Sequence, residues 1–222
     1  MKAVQDDCPA AWFDPACRRC PRLAAFLDEV RDKHPDYHAA PVAPFGPVSA
    51  PLLIVGLAPG MHGANRTGRP FTGDHAGILL YESLYQLGLA SNPVSTSRDD
   101  GLELKGCRIS NAVKCLPPAN KPTPTEVRTC GQWLAAELAG SRPRVILALG
   151  RIAHDAVLDA CGLRRAAHRF AHGAEHELGD HPLLVDSYHC SRYNTQTRRL
   201  TPAMFMAVLA NAARQAGVGR PL

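Results

Sequence analysis

Among the residues able to do chemistry, two spaced pairs of cysteines stand out. Cys17 and Cys20 form a C-x2-C, and Cys115 and Cys130 form a second, wider pair far along the chain. Two thiolates on one tight loop can grip one side of a metal centre. A second pair flanking Leu116-Pro117-Pro118-Ala119-Asn120-Lys121-Pro122 can fold over and close it. Four thiolates suit a [4Fe–4S] cluster or a structural zinc ion. Spacing leaves both open, although the wide second gap does not match the short symmetric knuckles of zinc ribbons. Of the other cysteines, Cys107 and Cys161 read as buried small hydrophobes, and Cys190 carries no assignment. Cys8 is close enough in sequence to take the place of Cys17.

Four further segments carry polar groups. The run Gly56-Leu57-Ala58-Pro59-Gly60 through Asp74 holds five glycines and two prolines, which favour tight turns with accessible backbone N–H groups at Gly56, Ala58 and Gly60. It lacks the Gly-Lys-Ser/Thr of a phosphate loop and the G-x-G-x-x-G of a dinucleotide site. Phe71 within it reads equally as a core anchor or as a stacking surface. Asp74 stands where a helix begins, so an N-cap is its plain role. Asn111 offers a donor and an acceptor side by side, the pattern that reads an amide-like edge, and it is also a routine turn former. Gly150-Arg151 follows a third apolar run. His189 lies just beyond a fourth, where an imidazole can donate to an oxygen that gains negative charge. After it, Ser191–Arg199 contains Arg192, Arg198 and Arg199 with Tyr193 and Asn194, and has no acidic residue.

These positions coincide with strand ends. Leu52–Gly56, Cys107–Val113, Val145–Leu149 and Leu183–Ser187 read as strands, the first and third apolar on both faces as buried parallel strands are. Helix-period segments lie at about 21–33, 76–89, 124–139, 151–161 and 202–215, with clear starts at Thr123-Pro124-Thr125-Glu126 and Thr201-Pro202. The alternation predicts an α/β fold: a three-layer α/β/α sandwich around a four-stranded parallel sheet. In such sheets ligands sit beyond the carboxyl ends of the strands, where every segment named above falls. The 222 residues suit a single domain, 1–222, with segment 8–34 packed on it as a metal-binding N-terminal piece. The formal net charge of +5 is compatible with a polyanionic partner without requiring one. The start Met1–Asp7 has no apolar stretch of an export signal, so the expectation is a reducing, cytoplasmic setting in which disulfides are disfavoured.

Together these segments resemble the uracil-DNA glycosylase superfamily, most closely its family 5, the type-b enzymes. Gly56–Gly60 with Thr67-Gly68-Arg69-Pro70-Phe71-Thr72-Gly73-Asp74 resembles that family's first motif. Asn111-Ala112-Val113-Lys114-Cys115-Leu116-Pro117-Pro118 resembles its strand-to-cluster segment, and His189–Gln196 its second motif. The resemblance spans about residues 17–210 and includes the cysteine spacing. It implies a [4Fe–4S] cluster, structural in role, on Cys17, Cys20, Cys115 and Cys130. It also implies that Phe71 stacks on a flipped base, Asn111 reads its polar edge and His189 stabilises the departing base. The substrate implied is DNA containing uracil or other deaminated bases such as hypoxanthine, with Arg192, Tyr193, Arg198 and Arg199 toward the DNA and Asn194 near the base. Leu57 departs from the superfamily, most of whose members carry Asp, Asn or Glu there. Family 5 shares that departure, and Asp74 is its substitute. A monomer is the expected state, and a nucleoid-associated one. The competing expectation is a catalytically silent iron–sulfur protein that binds DNA or senses redox state.

Overall fold

Strands form where apolar runs are continuous and bounded by turn residues. In the computed structural model, which describes residues 8–220, the runs Leu52–Gly56 (β1), Cys107–Asn111 (β2) and Val145–Leu149 (β3) are wholly buried. Leu183–Ser187 becomes β5. A two-residue strand, Glu175–His176 (β4), precedes it. The sheet order is β2-β1-β3-β5-β4. The four strands expected from the sequence are parallel, and β4 adds an antiparallel edge to β5. Strand β2 ends at Asn111, earlier than the apolar pattern suggests, although Ala112 and Val113 still donate to Gly56 O and Leu57 O.

Alternation along β1 assigns the two faces. Leu52 and Ile54 join one core cluster, and Leu53 and Val55 join the other. The first face is covered by helices His75–Gln86 (α3) and Pro202–Ala216 (α7), through Leu80, Leu84, Phe205 and Leu209. The second is covered by Pro21–Lys33 (α1), Pro124–Ser141 (α4) and Arg151–Ala160 (α5), through Leu27, Leu134 and Val157. Each such side chain contributes about 1.5–3 kcal/mol on burial. Two short helices, Ala64–Thr67 (α2) and Arg192–Gln196 (α6), lie in the loops after β1 and β5.

The starts of the helices follow their side chains. Thr123 accepts from Glu126 N, and the Glu126 carboxylate accepts from Thr123 N, a complete capping box before Pro124. Thr201 caps α7 through Met204 N. Because β1 is flanked by β2 on one side and β3 on the other, the chain reverses its winding there. The carboxyl end of β1 is therefore where a crevice opens. No described helix is long and apolar enough to cross a membrane.

Candidate functional site

The crevice at the end of β1 is built around Gly56. A Cβ on this residue would stand 2.5 Å from Asn111 Oδ1 and 2.6 Å from two Phe71 ring atoms. The absent side chain is what lets the Asn111 amide and the Phe71 ring both close on this residue. Phe71 is 6% exposed, belongs to the core cluster and has a positive φ of 55°. Its strained turn is fixed from both sides. Tyr81 Oη donates to Pro70 O at 2.8 Å, and Arg69, itself buried, bonds Ser95 Oγ at 3.1 Å and Asp100 Oδ1 at 2.6 Å. Core anchor and crevice wall are thus one role for Phe71.

Asn111 is 3% exposed, and its Oδ1 has no partner. An unsatisfied buried carbonyl costs about 1–3 kcal/mol and marks a group waiting for a donor. His189 faces the same space: its ring stacks on Phe71 at 5.8 Å between centroids with 25° between planes. Its Nδ1 is enclosed and unpartnered, and burial pushes its pKa down from 6.5 to about 4, so the ring is neutral near pH 7. Gly150, with φ of 92°, brings the loop after β3 against His189 Cβ.

Asp74 caps α3 as its position suggests, accepting from Gly77 N at 2.9 Å. Its second oxygen lies 3.6 Å from where a Cβ of Gly60 would be. Gly63 also presses on this carboxyl, since a Cβ there would come within 2.6 Å of Oδ2. Burial raises the Asp74 pKa, opposed by the bonds from Gly77 and Ala76. Ala58 is half-buried against the second core cluster.

Beyond His189, the residues expected at DNA divide in two. Arg192 and Tyr193 are exposed on α6, Tyr193 at 71%, and Arg198 is exposed just after it. Arg192 shares a groove with Asp74, His75, Ile78 and Val94. Arg199, also exposed, lays its guanidinium 4.6 Å from the Tyr188 ring centroid. Asn194, expected near the base, donates its side-chain N–H to His189 O at 2.8 Å and so shapes the loop. His75 was not singled out from the sequence, yet its Nε2 meets Thr195 Oγ1 at 3.0 Å and ties α3 to α6. Tyr188 was also passed over. His172 stacks on its ring at 4.9 Å and accepts from its N–H at 3.1 Å. Asp186, inside β5, was another overlooked signal, a carboxylate in an apolar run. It accepts from His154 Nδ1 and His176 Nε2 at 2.8 and 2.9 Å.

Cys17, Cys20, Cys115 and Cys130 line one cavity with Phe13, Leu23 and Trp133. None of the four is in a disulfide. Burial raises the Cys115 pKa, and the neighbouring Cys130, Cys17 and Cys20 raise it further. A tetrahedral zinc site brings its sulfurs to about 3.8 Å of one another, from Zn–S bonds of about 2.3 Å. Among the described residues, no three of these thiols have sulfurs all within 4.8 Å of one another. Four cysteine sulfurs around one cavity are a donor set for a metal centre. Cys8 does not line this cavity, and its thiol lies beside Arg108. Two other cysteine expectations resolve differently: Cys107 is buried, with its thiol donating to Leu89 O, whereas Cys161 is partly exposed. Arg22 on α1 grips Glu126 on α4 with two bonds of 2.7 Å, fastening the N-terminal segment beside the cysteines.

With this geometry in place, residues 43–213 match the family model of the uracil DNA glycosylase superfamily. The chain belongs to that superfamily. Over 210 residues it is 51% identical to the type-5 uracil-DNA glycosylase of Thermus thermophilus, covering 91% of this chain and 95% of that one. It is 43% identical over 219 residues to the type-5 enzyme of Pyrobaculum aerophilum, covering 94% and 96%. A type-4 uracil-DNA glycosylase of Archaeoglobus fulgidus matches over 109 residues at 40% identity, about half of each chain. The superfamily match begins after Cys17 and Cys20, whereas the type-5 relatives are covered almost end to end.

Proposed function

We propose that this protein is a monofunctional DNA glycosylase that removes uracil, and with it other deaminated bases such as hypoxanthine, from DNA. The observation that carries the reading is that Phe71 and the Asn111 amide both close on Gly56 and the neutral His189 ring stacks on Phe71, with Asn111 Oδ1 and His189 Nδ1 both unpartnered. A glycosidic bond inside stacked DNA is out of reach, so the nucleotide must be extruded, at a cost of a few kcal/mol that is least for a mismatched base. Phe71 supplies a stacking surface for the extruded base, a contact that tolerates base identity. Asn111 accepts from the base N–H. A neutral imidazole donates to the base oxygen as the bond breaks and negative charge collects there. Asp74, one of whose oxygens caps α3 through Gly77 N, presents its carboxylate to the sugar and orients water toward C1′. Arg192 and Arg198 hold phosphates beside it. Arg199 does so from its perch on Tyr188, and Tyr193 flanks the vacated stack.

Lys114 gives no route to Schiff-base chemistry. It is 2% exposed, and its ammonium is bonded to Ser110, Asn111 O and Glu137. Excision without strand cleavage follows. Cys17, Cys20, Cys115 and Cys130 would hold a [4Fe–4S] cluster, which would tie the segment before α1 to Cys115 and α4. The test is single-turnover incubation of a labelled duplex carrying uracil opposite guanine. Breaks that appear only after alkali, at the uracil, support the reading. Intact strands after alkali, from folded protein that binds the duplex, favour a silent DNA-binding protein instead.

A further inference from the structure

Beneath Asn111 lies a charged network that the excision chemistry does not use. Arg108 and Ser110 on β2, Lys114 just beyond it and Glu137 on α4 are all buried, none more than 2% exposed. Glu137 Oε1 accepts from Arg108 Nε at 2.9 Å, and its Oε2 accepts from Ser110 Oγ at 2.6 Å and Lys114 Nζ at 3.4 Å. Lys114 Nζ also donates to Ser110 Oγ at 2.5 Å and to Asn111 O at 3.0 Å. All three ammonium protons are placed.

Two facts argue that this lysine is there for position rather than for stability. First, Arg108 already pairs with Glu137, so Lys114 is not needed to neutralise that carboxylate. Replacing buried ions by apolar groups of like size is often neutral or stabilising. Second, β2 is an edge strand whose outer side needs support. Ile109 exchanges both its backbone bonds with Phe45 on that outer side. Strand alternation then turns the carbonyl of Asn111, two residues on, to the same side. There the sheet has ended, and Lys114 Nζ meets that carbonyl. The same residue's backbone N–H points at Cys130 Sγ at 3.3 Å. One lysine thus links the cysteine cavity to the residue at the crevice.

We propose, on the reading of Asn111 as the residue that faces the base, that Lys114 is a positioning residue that fixes the Asn111 backbone and so aims its side-chain amide. The test is a double-mutant cycle in single-turnover uracil excision, with Lys114→Met, Asn111→Ala and the pair, each variant checked for iron content, melting temperature and duplex affinity. Lys114→Met leaves Arg108 paired with Glu137, so the fold is expected to hold. Because a misplacement of about 1 Å can cost about a hundredfold, excision should slow by about ten- to a hundredfold with duplex affinity unchanged. In the Asn111→Ala background the same substitution should cost no more than about twofold, the signature of coupled residues. Full additivity, or a wild-type rate for Lys114→Met alone, overturns the role of Lys114. A wild-type rate for Asn111→Ala overturns instead the reading of Asn111 on which it stands. If Lys114→Met fails to fold or loses iron, Lys114→Gln enters the same cycle under the same criteria.

Discussion

Replacing Gly56 by alanine places one methyl group at the centre of the crevice. The backbone permits it, since Gly56 is not among the glycines with positive φ. The conflict is purely steric. The new Cβ would lie 2.5 Å from Asn111 Oδ1 and 2.6 Å from two Phe71 ring atoms, and neither neighbour has room, at 3% and 6% exposure. Reaching ordinary carbon contact requires a shift of about 1 Å in one or both. Overpacking of this kind lowers stability by about 1–3 kcal/mol. A shift of about 1 Å in groups that position a reacting substrate costs about a hundredfold in rate, or about 2.7 kcal/mol of barrier. Gly56→Ala should therefore melt a few degrees lower, bind undamaged duplex as the wild type does, and excise uracil about a hundredfold more slowly under rapid-quench single-turnover conditions. A folded Gly56→Ala protein that excises within about twofold of wild type would refute the claim that Asn111 and Phe71 act from their places against Gly56.

Other outcomes follow from the same geometry. His189→Ala and Asn111→Ala should each slow single-turnover excision more than Asp74→Asn, which keeps an oxygen for the Gly77 cap and loses only the charge; equal rates for wild type and His189→Ala would contradict this ranking. With the His189 pKa lowered from 6.5 to about 4 by burial, the excision rate should show no inflection near 6.5 and fall only as pH approaches 4. The unfolded chain takes up this proton below 6.5 while the folded chain does not until about 4, so stability should decline as pH falls through that window; an activity inflection between 6 and 7 assigned to His189 would contradict the buried neutral ring. Thr123→Ala removes half of a capping box remote from the crevice. It should cost about 1 kcal/mol, a fall in melting temperature of about 2–4 °C, with excision unchanged.

Where the sequence was most legible, one physical signal dominated. Strands β1 and β3 are continuous apolar runs between turn residues, and their limits match the pattern residue for residue. Helices α1, α4 and α7 begin with Pro at the first turn, and each starts where that proline stands. Strand β4 was invisible, because Glu175–His176 is two polar residues long and owes its form to pairing with β5. The crevice residues fall together at the carboxyl edge of the sheet: Asn111 ends β2, His189 follows β5, and Phe71 lies in the loop between β1 and α3. Side-chain partners were not legible. Asn194 turns to His189 O, Arg199 to Tyr188, and Lys114 to Glu137, and none of these pairings has a periodic or compositional signature. Cys161 looked like a core residue but sits at the end of α5, where the helix leaves the core.

The most direct measurement is chromatographic quantification of free base and abasic sites from a uracil-containing duplex, wild type beside His189→Ala. The account predicts that wild-type protein releases free uracil in equal amount to abasic sites, without strand breaks, and that His189→Ala binds the duplex yet releases uracil far more slowly. No free uracil from folded, iron-containing wild-type protein would contradict it.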